Sequence, residues 1–281
     1  MQIAKWGGFI FHFSFFILHF AITSFLSVLS VPPWFILPNC HMSTTRTLVV
    51  LATYNEIENL PGLVGAILRV LPTADLLVVD DNSPDGSGRW CDERAASEPR
   101  LSCLHRASKL GLGSATLDAI RYAVAQDYDV IATMDADWSH DPVHLPELVA
   151  ATAHADVAIG SRYVEGGAIE GWPRHRRLLS RAMNRLSRTM LRLPIQDTSG
   201  AFRAYRVAKL REINLDEIRA TGYAYLEEIL WQLAPADATF AEVPITFHQR
   251  RAGRSKVSLR EAAGKLATLV RLAWRTDRRQ R

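Results

Sequence analysis

Between residues 47 and 160, short apolar runs alternate with helical segments at least four times. No other feature restricts the fold so strongly. Strand–helix alternation at this spacing builds a doubly wound, mostly parallel sheet. The runs fall at residues 47–52, 76–79, 101–105, 128–133 and 156–160. The longer ones are rich in Val, Leu and Ile and lack polar–apolar alternation, the pattern of strands covered on both faces. Helices are predicted over residues 60–71, 87–96, 115–125 and 144–153, the first with Asn59 as its cap and Pro61 in its first turn.

Two of the runs end in paired acids: Asp80-Asp81 after the second, and Asp135-Ala136-Asp137 after the fourth. A parallel sheet binds ligands outside the carboxyl ends of its strands, so the acids stand where chemistry happens. Two carboxylates one residue apart repel unless a cation lies between them. A hard divalent ion, Mg²⁺ or Mn²⁺, shared with substrate phosphates relieves that repulsion, whereas a surface turn would simply solvate it. No Gly-x-Gly-x-x-Gly follows the first strand and no Gly-x-x-x-x-Gly-Lys-Ser/Thr occurs, so the ordinary dinucleotide and P-loop readings fail. Acids at strand ends suit ribose, base N–H groups or a metal, and repel bare phosphate. They fit a nucleotide held through sugar, base and a metal-bridged diphosphate.

Beyond Gly160 the character becomes basic. Arg174, Arg176, Arg177, Arg181, Arg185, Arg188 and Arg192 follow Trp172 almost without acids, with an apolar stripe at helical spacing from Leu178 onward. Some of these cations form a solvated face; the whole set calls for an anion or an anionic membrane surface. Aromatic stacking residues are scarce there, which argues against nucleic acid. Residues 197–203 read as a small polar loop. Residues 222–233 read as a helix whose Glu227 or Glu228 faces the site or solvent. Residues 239–247 read as a strand that Pro244 confines to an edge. A basic loop around Gly253 then precedes an amphipathic helix over residues 259–274, which lies either on a bilayer or on its own domain.

The formal net charge of the 281 residues is +4, and the three cysteines, Cys40, Cys91 and Cys103, have no metal-type or disulfide-framework spacing. Residues 9–31 carry no charge and are long enough to span a bilayer. Lys5 before them suits a cytoplasmic flank and Arg46 after them counts against it, while no small-x-small cleavage site marks a signal peptide. Translation from Met42 would leave a complete domain, and that reading is preferred. The chain is thus expected to comprise a hydrophobic extension (residues 1–41), a catalytic domain (42–258) and a basic amphipathic helix (259–281).

Six motifs occur in one order: Thr53-Tyr54-Asn55-Glu56, Asp80-Asp81-Asn82-Ser83-Pro84-Asp85-Gly86, Lys109-Leu110-Gly111-Leu112-Gly113, Asp135-Ala136-Asp137, Gly160-Ser161-Arg162-Tyr163 and Gly253-Arg254-Ser255-Lys256. In this order the chain resembles the family 2 inverting glycosyltransferases of GT-A fold, and among them the dolichol-phosphate (polyprenol-phosphate) mannose synthases. The resemblance covers residues 46–258. It implies a single Rossmann-like GT-A domain, GDP-mannose as donor, a polyprenyl monophosphate as acceptor and a β-linked product. It implies that Ala52, Tyr54, Glu56, Val79 and Asp81 hold the guanosine; many relatives have proline in place of Ala52. Asp135, Ala136 and Asp137 would bind the diphosphate, with Asp135, Asp137 and Ser139 as metal ligands. Arg162 would meet the donor or the acceptor phosphate, Arg176 and Ser180 would take the acceptor phosphate, and Arg250 and Lys256 would close over the donor diphosphate. Asp137, Arg162 and Arg250 would carry catalysis.

An acceptor that is already an anion needs little or no general base. The resemblance also implies a membrane surface as partner, a location on its cytoplasmic face, and leaves a membrane anchor subunit as an open candidate. UDP-glucose is the competing donor; its polyprenyl-phosphate glucosyltransferases usually carry two C-terminal membrane helices. A metal-dependent phosphohydrolase, which also uses Asp-x-Asp after a strand, would leave the arginines unexplained. A non-catalytic binding subunit would leave the intact acidic pair unexplained.

Overall fold

The computed structural model describes residues 45–220, 222–250 and 259–279. The extension at residues 1–41 and the motif containing Lys256 lie outside these residues. The strands are β1 (Thr47–Thr53), β2 (Asp75–Asp80), β3 (Leu101–His105), β4 (Val130–Asp135), β5 (Val157–Ser161), β6 (Ala168–Ile169), β7 (Arg203–Arg206), β8 (Phe240–Pro244) and β9 (Thr246–Phe247). Seven of them form one sheet in the order β3-β2-β1-β4-β7-β5-β8, and β6 pairs with β9 separately. All neighbours in the large sheet run parallel except β7, which is antiparallel to both β4 and β5. The fold is therefore α/β with a mostly parallel sheet.

The unbroken apolar runs have a direct cause. Leu48 and Val50 of β1 enter one apolar layer with Leu77, Val79 and Ile131, while Val49 and Leu51 enter the other with Leu76, Val78 and Ala132. Both faces are covered, so successive residues must all be apolar. The helices that cover them are α1 (Leu60–Val70), α2 (Ser87–Ala95), α3 (Leu112–Ala125), α4 (Leu145–Ala151), α5 (Arg174–Leu191), the short α6 (Val207–Leu210), α7 (Tyr225–Leu233) and α8 (Leu259–Arg279).

Three local expectations change. Asn59 stands at the N-cap of α1 but makes no side-chain cap bond; its amide donates to Glu56 Oε2 at 2.8 Å. The Asn59 and Leu60 amides already bond to the Glu56 carbonyl, so the chain is wound into helical backbone before the cap residue. The single strand expected at residues 239–247 divides: β8 ends at Pro244 as the edge of the large sheet, and β9 crosses to the small one. Glu227 and Glu228 do not point to the acids after β4. Both are fully buried, Glu227 paired with Lys265 and Glu228 with Arg271, so they tie α8 to α7. Leu269 and Leu272 of α8 enter the core layer, and Thr276 accepts the indole N–H of Trp231 at 2.7 Å. No helix among the described residues is long and apolar enough to cross a membrane.

Candidate active site

Strand order sets the site. β1 has β2 on one side and β4 on the other, so chain direction around the sheet reverses between β1 and β4. This is the switch point at which open sheets bind ligands. The register places Ala52 beside both Val79 and Asp135, and Thr53 beside Asp80. The acidic ends of β2 and β4 therefore flank the end of β1.

Asp135 and Asp137 lie on the floor of this crevice. Burial and then the charge of Asp137 push the Asp135 carboxyl up to about 7. Asp137 Oδ1 accepts the Ser139 amide at 3.0 Å, and its Oδ2 lies 3.2 Å from Arg250 Nη2. Between them Trp138 adopts φ 64°, a left-handed conformation uncommon outside glycine. Ser139 Oγ is buried without a hydrogen-bond partner. Two converging carboxylates, one held partly protonated, and an orphaned hydroxyl form an oxygen set that fits a hard divalent cation.

His140 completes the floor. Its Nδ1 accepts the Asp135 amide at 3.2 Å, so the neutral ring carries its proton on Nε2. The ring stacks on Phe202 and meets the edge of Phe247, and burial lowers its pKa to about 4. It therefore adds no positive charge beside the aspartates at neutral pH. Tyr223 lies against the same group. Its hydroxyl is held protonated first by Asp135 and then by burial, and it hydrogen-bonds Arg250.

The donor-side residues fall into three kinds. Tyr54 lies under the Lys109 ammonium, 3.7 Å from the ring centre. The Glu56 amide donates to Ser87 Oγ at 3.1 Å, so the loops after β1 and β2 are joined. Val79 is fully buried and Ala136 nearly so, which leaves no open side-chain surface on either. Asp81 is already satisfied: Oδ1 pairs with Arg106, and Oδ2 accepts the Gly111 amide at 2.7 Å. Asp80 accepts from Thr53, from Ser83 Oγ and from the Ser83 amide. Gly86 at φ 92° lets the chain turn from this cluster into α2.

The cationic side is built around Arg162. Its Nε and Nη2 donate to the two oxygens of Asp197, each at 2.7 Å, and Nη2 also reaches Ser199 Oγ at 2.9 Å. Burial works against ionisation of both partners, yet the pair raises the arginine pKa and lowers that of the aspartate. The segment after Gln196 is thus a buried clamp, with Thr198 bonded to Asn184 and Arg203 to the Thr198 carbonyl. Arg176 covers the Trp172 ring at 3.9 Å. Burial lowers its pKa, followed by the nearby charges of Arg250 and Arg162. Ser180 Oγ accepts the Tyr163 hydroxyl at 2.7 Å.

The structure thus brings Asp135, Asp137, Ser139, Arg162, Arg176 and Arg250 into one charged neighbourhood. It adds Tyr223, His140, Arg106 and Asp197. Tyr223 and Asp197 come from segments with no local signal; His140 lies three residues after Asp137 and Arg106 three before Lys109, so both were within reach of the sequence.

The architecture is an open α/β sheet with an acidic pair at its switch point, as in glycosyltransferases of GT-A fold. Solved structures share this fold: glucosyl-3-phosphoglycerate synthase from Mycobacterium tuberculosis, in complex with Mn²⁺, uridine diphosphate and glucosyl-3-phosphoglycerate, superposes with a TM-score of 0.59 at 20% identity, covering 82% of this chain and 80% of that one. Residues 48–213 match the family described as Glycosyl transferase family 2. An undecaprenyl-phosphate mannosyltransferase from Micrococcus luteus is 45% identical over 213 residues, 76% of this chain and 88% of that protein. A polyprenol monophosphomannose synthase from Mycolicibacterium smegmatis is 44% identical over 229 residues, 80% of this chain and 86% of that protein. The chain belongs to glycosyltransferase family 2 and is a glycosyltransferase.

Proposed function

We propose that this enzyme transfers mannose from GDP-mannose to a polyprenyl monophosphate with inversion, giving a β-linked lipid-phosphate mannose at the cytoplasmic face of a membrane. The names of the two relatives support the sugar and the lipid acceptor. One observation carries the reading for this chain. Arg176, Arg162 and Arg250 stand close enough for the last two to lower the pKa of the first, directly beside the acidic pair. Like charges gathered in this way are complementary to a second anion placed next to a metal-bound diphosphate.

Asp135, Asp137 and Ser139 would hold Mg²⁺ or Mn²⁺; a fold relative solved with Mn²⁺ and uridine diphosphate supports a divalent ion. Such an ion would neutralise charge on the leaving diphosphate. Arg250, now 3.2 Å from Asp137, would shift to the diphosphate when the donor enters. Arg176 and Ser180 would orient the acceptor phosphate towards the anomeric carbon. The Asp197 clamp takes up two donor nitrogens of Arg162, so this side chain would act through charge and its remaining nitrogen. Tyr54, Glu56 and the backbone at Ala52 and Val79 would line the guanosine pocket. Asp81, held by Arg106 and Gly111, would shape that pocket. Lys256 is proposed to join Arg250 at the diphosphate.

A donor panel tests this. GDP-mannose, UDP-glucose and UDP-N-acetylglucosamine are each offered with polyprenyl phosphate, with and without Mg²⁺. Mannose transfer that requires the ion is expected. Preferential glucose transfer would transfer the reading to the UDP-glucose enzymes, and ion-independent mannose transfer would remove the metal from it.

A further inference from the structure

The cysteines show no metal-type spacing along the chain, yet the fold brings two of them together with a histidine and an aspartate. Helix α2 packs on β3, the edge strand of the large sheet. Cys103 and His105 alternate with Leu104 on β3, so both point to one face. Gly88, Cys91 and Asp92 have helical i, i+3, i+4 spacing on α2 and share the side that meets this face. The approach is close: a methyl group at Gly88 would stand 2.9 Å from Asp80 Oδ2 and 3.1 Å from His105 Cε1. His105 Nε2 lies 2.8 Å from Asp92 Oδ1, and its Nδ1 lies 3.9 Å from Cys103 Sγ. The buried Cys91 thiol hydrogen-bonds that of Cys103. One ligand atom each from Asp92, Cys103 and His105 lies within 4.8 Å of the other two.

Protons hold this cluster together. Asp92 and His105 share one, and Cys91 and Cys103 share another. A metal ion replaces such protons when it binds. Around tetrahedral Zn²⁺, bonds of about 2.0–2.3 Å set neighbouring ligands about 3.5 Å apart. Closing from 4.8 Å takes about 1 Å of movement, which the half-exposed Asp92 and His105 side chains can supply. Two thiols, an imidazole and a carboxylate are a borderline-soft set that selects Zn²⁺ over Mg²⁺ or Mn²⁺. The oxygens of Asp135, Asp137 and Ser139 have the opposite preference. A redox or nucleophilic role for the thiols fits less well. The hydrogen bond with Cys91, and then burial, push the Cys103 pKa up, and a thiol kept protonated attacks slowly. A metal removes that obstacle, because it deprotonates the thiol it binds.

We propose that Cys91, Asp92, Cys103 and His105 form a Zn²⁺ site that staples α2 to β3. Binding releases about two protons, one from each thiol, with the imidazole entering neutral and the carboxylate ionised. The site is structural. Strand order places β2 and β1 between it and the acidic pair after β4. As the edge strand, β3 has a neighbour on one side only, so a cross-link to α2 secures the margin of the sheet. Arg106, the next residue, braces Asp81, and Gly88 fits between His105 and Asp80. The staple therefore backs the acids after β2. It is independent of the donor and acceptor proposed above.

Spectroscopy with Co²⁺ in place of Zn²⁺ tests the site on the full, reduced chain. Thiolate-to-cobalt charge transfer and the intense visible bands of tetrahedral coordination are expected, and Zn²⁺ should bleach both. Cys103→Ser should remove about half of the charge-transfer intensity, since one of two thiolates is lost. Cys103→Ser and His105→Ala should each weaken Zn²⁺ at least about tenfold in competition with a chromogenic chelator. Asp92→Asn, at an exposed position, should weaken it too while leaving the melting temperature of the metal-free protein unchanged. Asp137→Ala should keep both the spectrum and the affinity, because the acidic pair offers only oxygen ligands. Zn²⁺ at about a hundredfold excess over Kd should raise the melting temperature by about 5 °C in the wild type and leave His105→Ala unmoved. Co²⁺ uptake without charge transfer would overturn the proposal, as would equal Zn²⁺ affinity in wild type and His105→Ala. Zn²⁺ binding lost in Asp137→Ala would place the ion at the acidic pair instead. A Cys91–Cys103 disulfide that forms in air and persists with Zn²⁺ present would assign the thiols to redox chemistry and overturn the site.

Discussion

The ends of β2 and β4 are both strand termini that run into two aspartates, yet they are physically opposite. After β2, Asp80 and Asp81 are braced within the fold: threonine, serine, arginine and a glycine amide bond their oxygens. After β4, Asp135 and Asp137 repel each other, Ser139 Oγ lacks a hydrogen-bond partner, and the counter-charge on Asp137 is Arg250 at 3.2 Å. One pair is braced by its neighbours, whereas the other retains the repulsion that the proposed cation would relieve. Carboxylates at a strand end therefore look alike in sequence, while their neighbours in the fold make them electrostatically different.

The largest expected effect tests that contrast directly. Asp137→Ala should lower mannose transfer by at least about 10³-fold, the scale of losing charge stabilisation at the leaving group. Wild-type transfer by this variant in metal-free buffer would sink the assignment. Arg106→Met should instead cost stability, about 3–5 kcal/mol in a denaturant titration, because it leaves the Asp81 carboxylate buried and unpaired. Asp135→Asn should be neutral or stabilising in the metal-free protein, since it removes repulsion. Equal losses in these two variants would erase the difference between the strand ends.

The pH dependence follows from Asp135. The folded protein retains this proton up to about 7, whereas the unfolded chain releases it near the ordinary value of 3.8. The native state binds more protons in that interval, so the metal-free fold weakens as pH rises from about 4 to about 7. A divalent ion must displace the same proton. Mn²⁺ affinity measured by spin resonance should be about tenfold weaker at pH 6 than at pH 8, and flat in Asp135→Asn. The smallest effect concerns the opposite wall. Arg176→Ala should raise the KM for lipid phosphate about tenfold, the loss of one charge-assisted contact, with little change in the KM for the donor. A donor-side KM effect as large would place Arg176 with the diphosphate instead.

Much of this was legible in residue order. Unalternating β-branched runs foretold a sheet covered on both faces, and Asp-x-Asp after such a run foretold acids at the carboxyl edge of that sheet. The sheet order was not legible. β7 runs antiparallel between β4 and β5, although residues 203–206 follow β5 by some forty positions. That insertion puts Phe202 under His140 and the Asp197 clamp against Arg162. Read locally, residues 197–200 are small and polar, like any exposed loop; here Asp197 and Thr198 are wholly buried, because the Asp197 carboxylate accepts from Arg162 and the Gly200 amide while Thr198 donates to Asn184 and accepts from Arg203.

The sequence alone determined the α/β class, the acids at the switch point and the cationic character of α5, because each follows from local periodicity or residue type. Tertiary structure decided which acids are braced by neighbours and which repel each other. It also placed Tyr223 beside Asp135 and set α8 against α5. These are contacts between residues far apart in the chain, governed by packing of whole elements, and no local pattern encodes them.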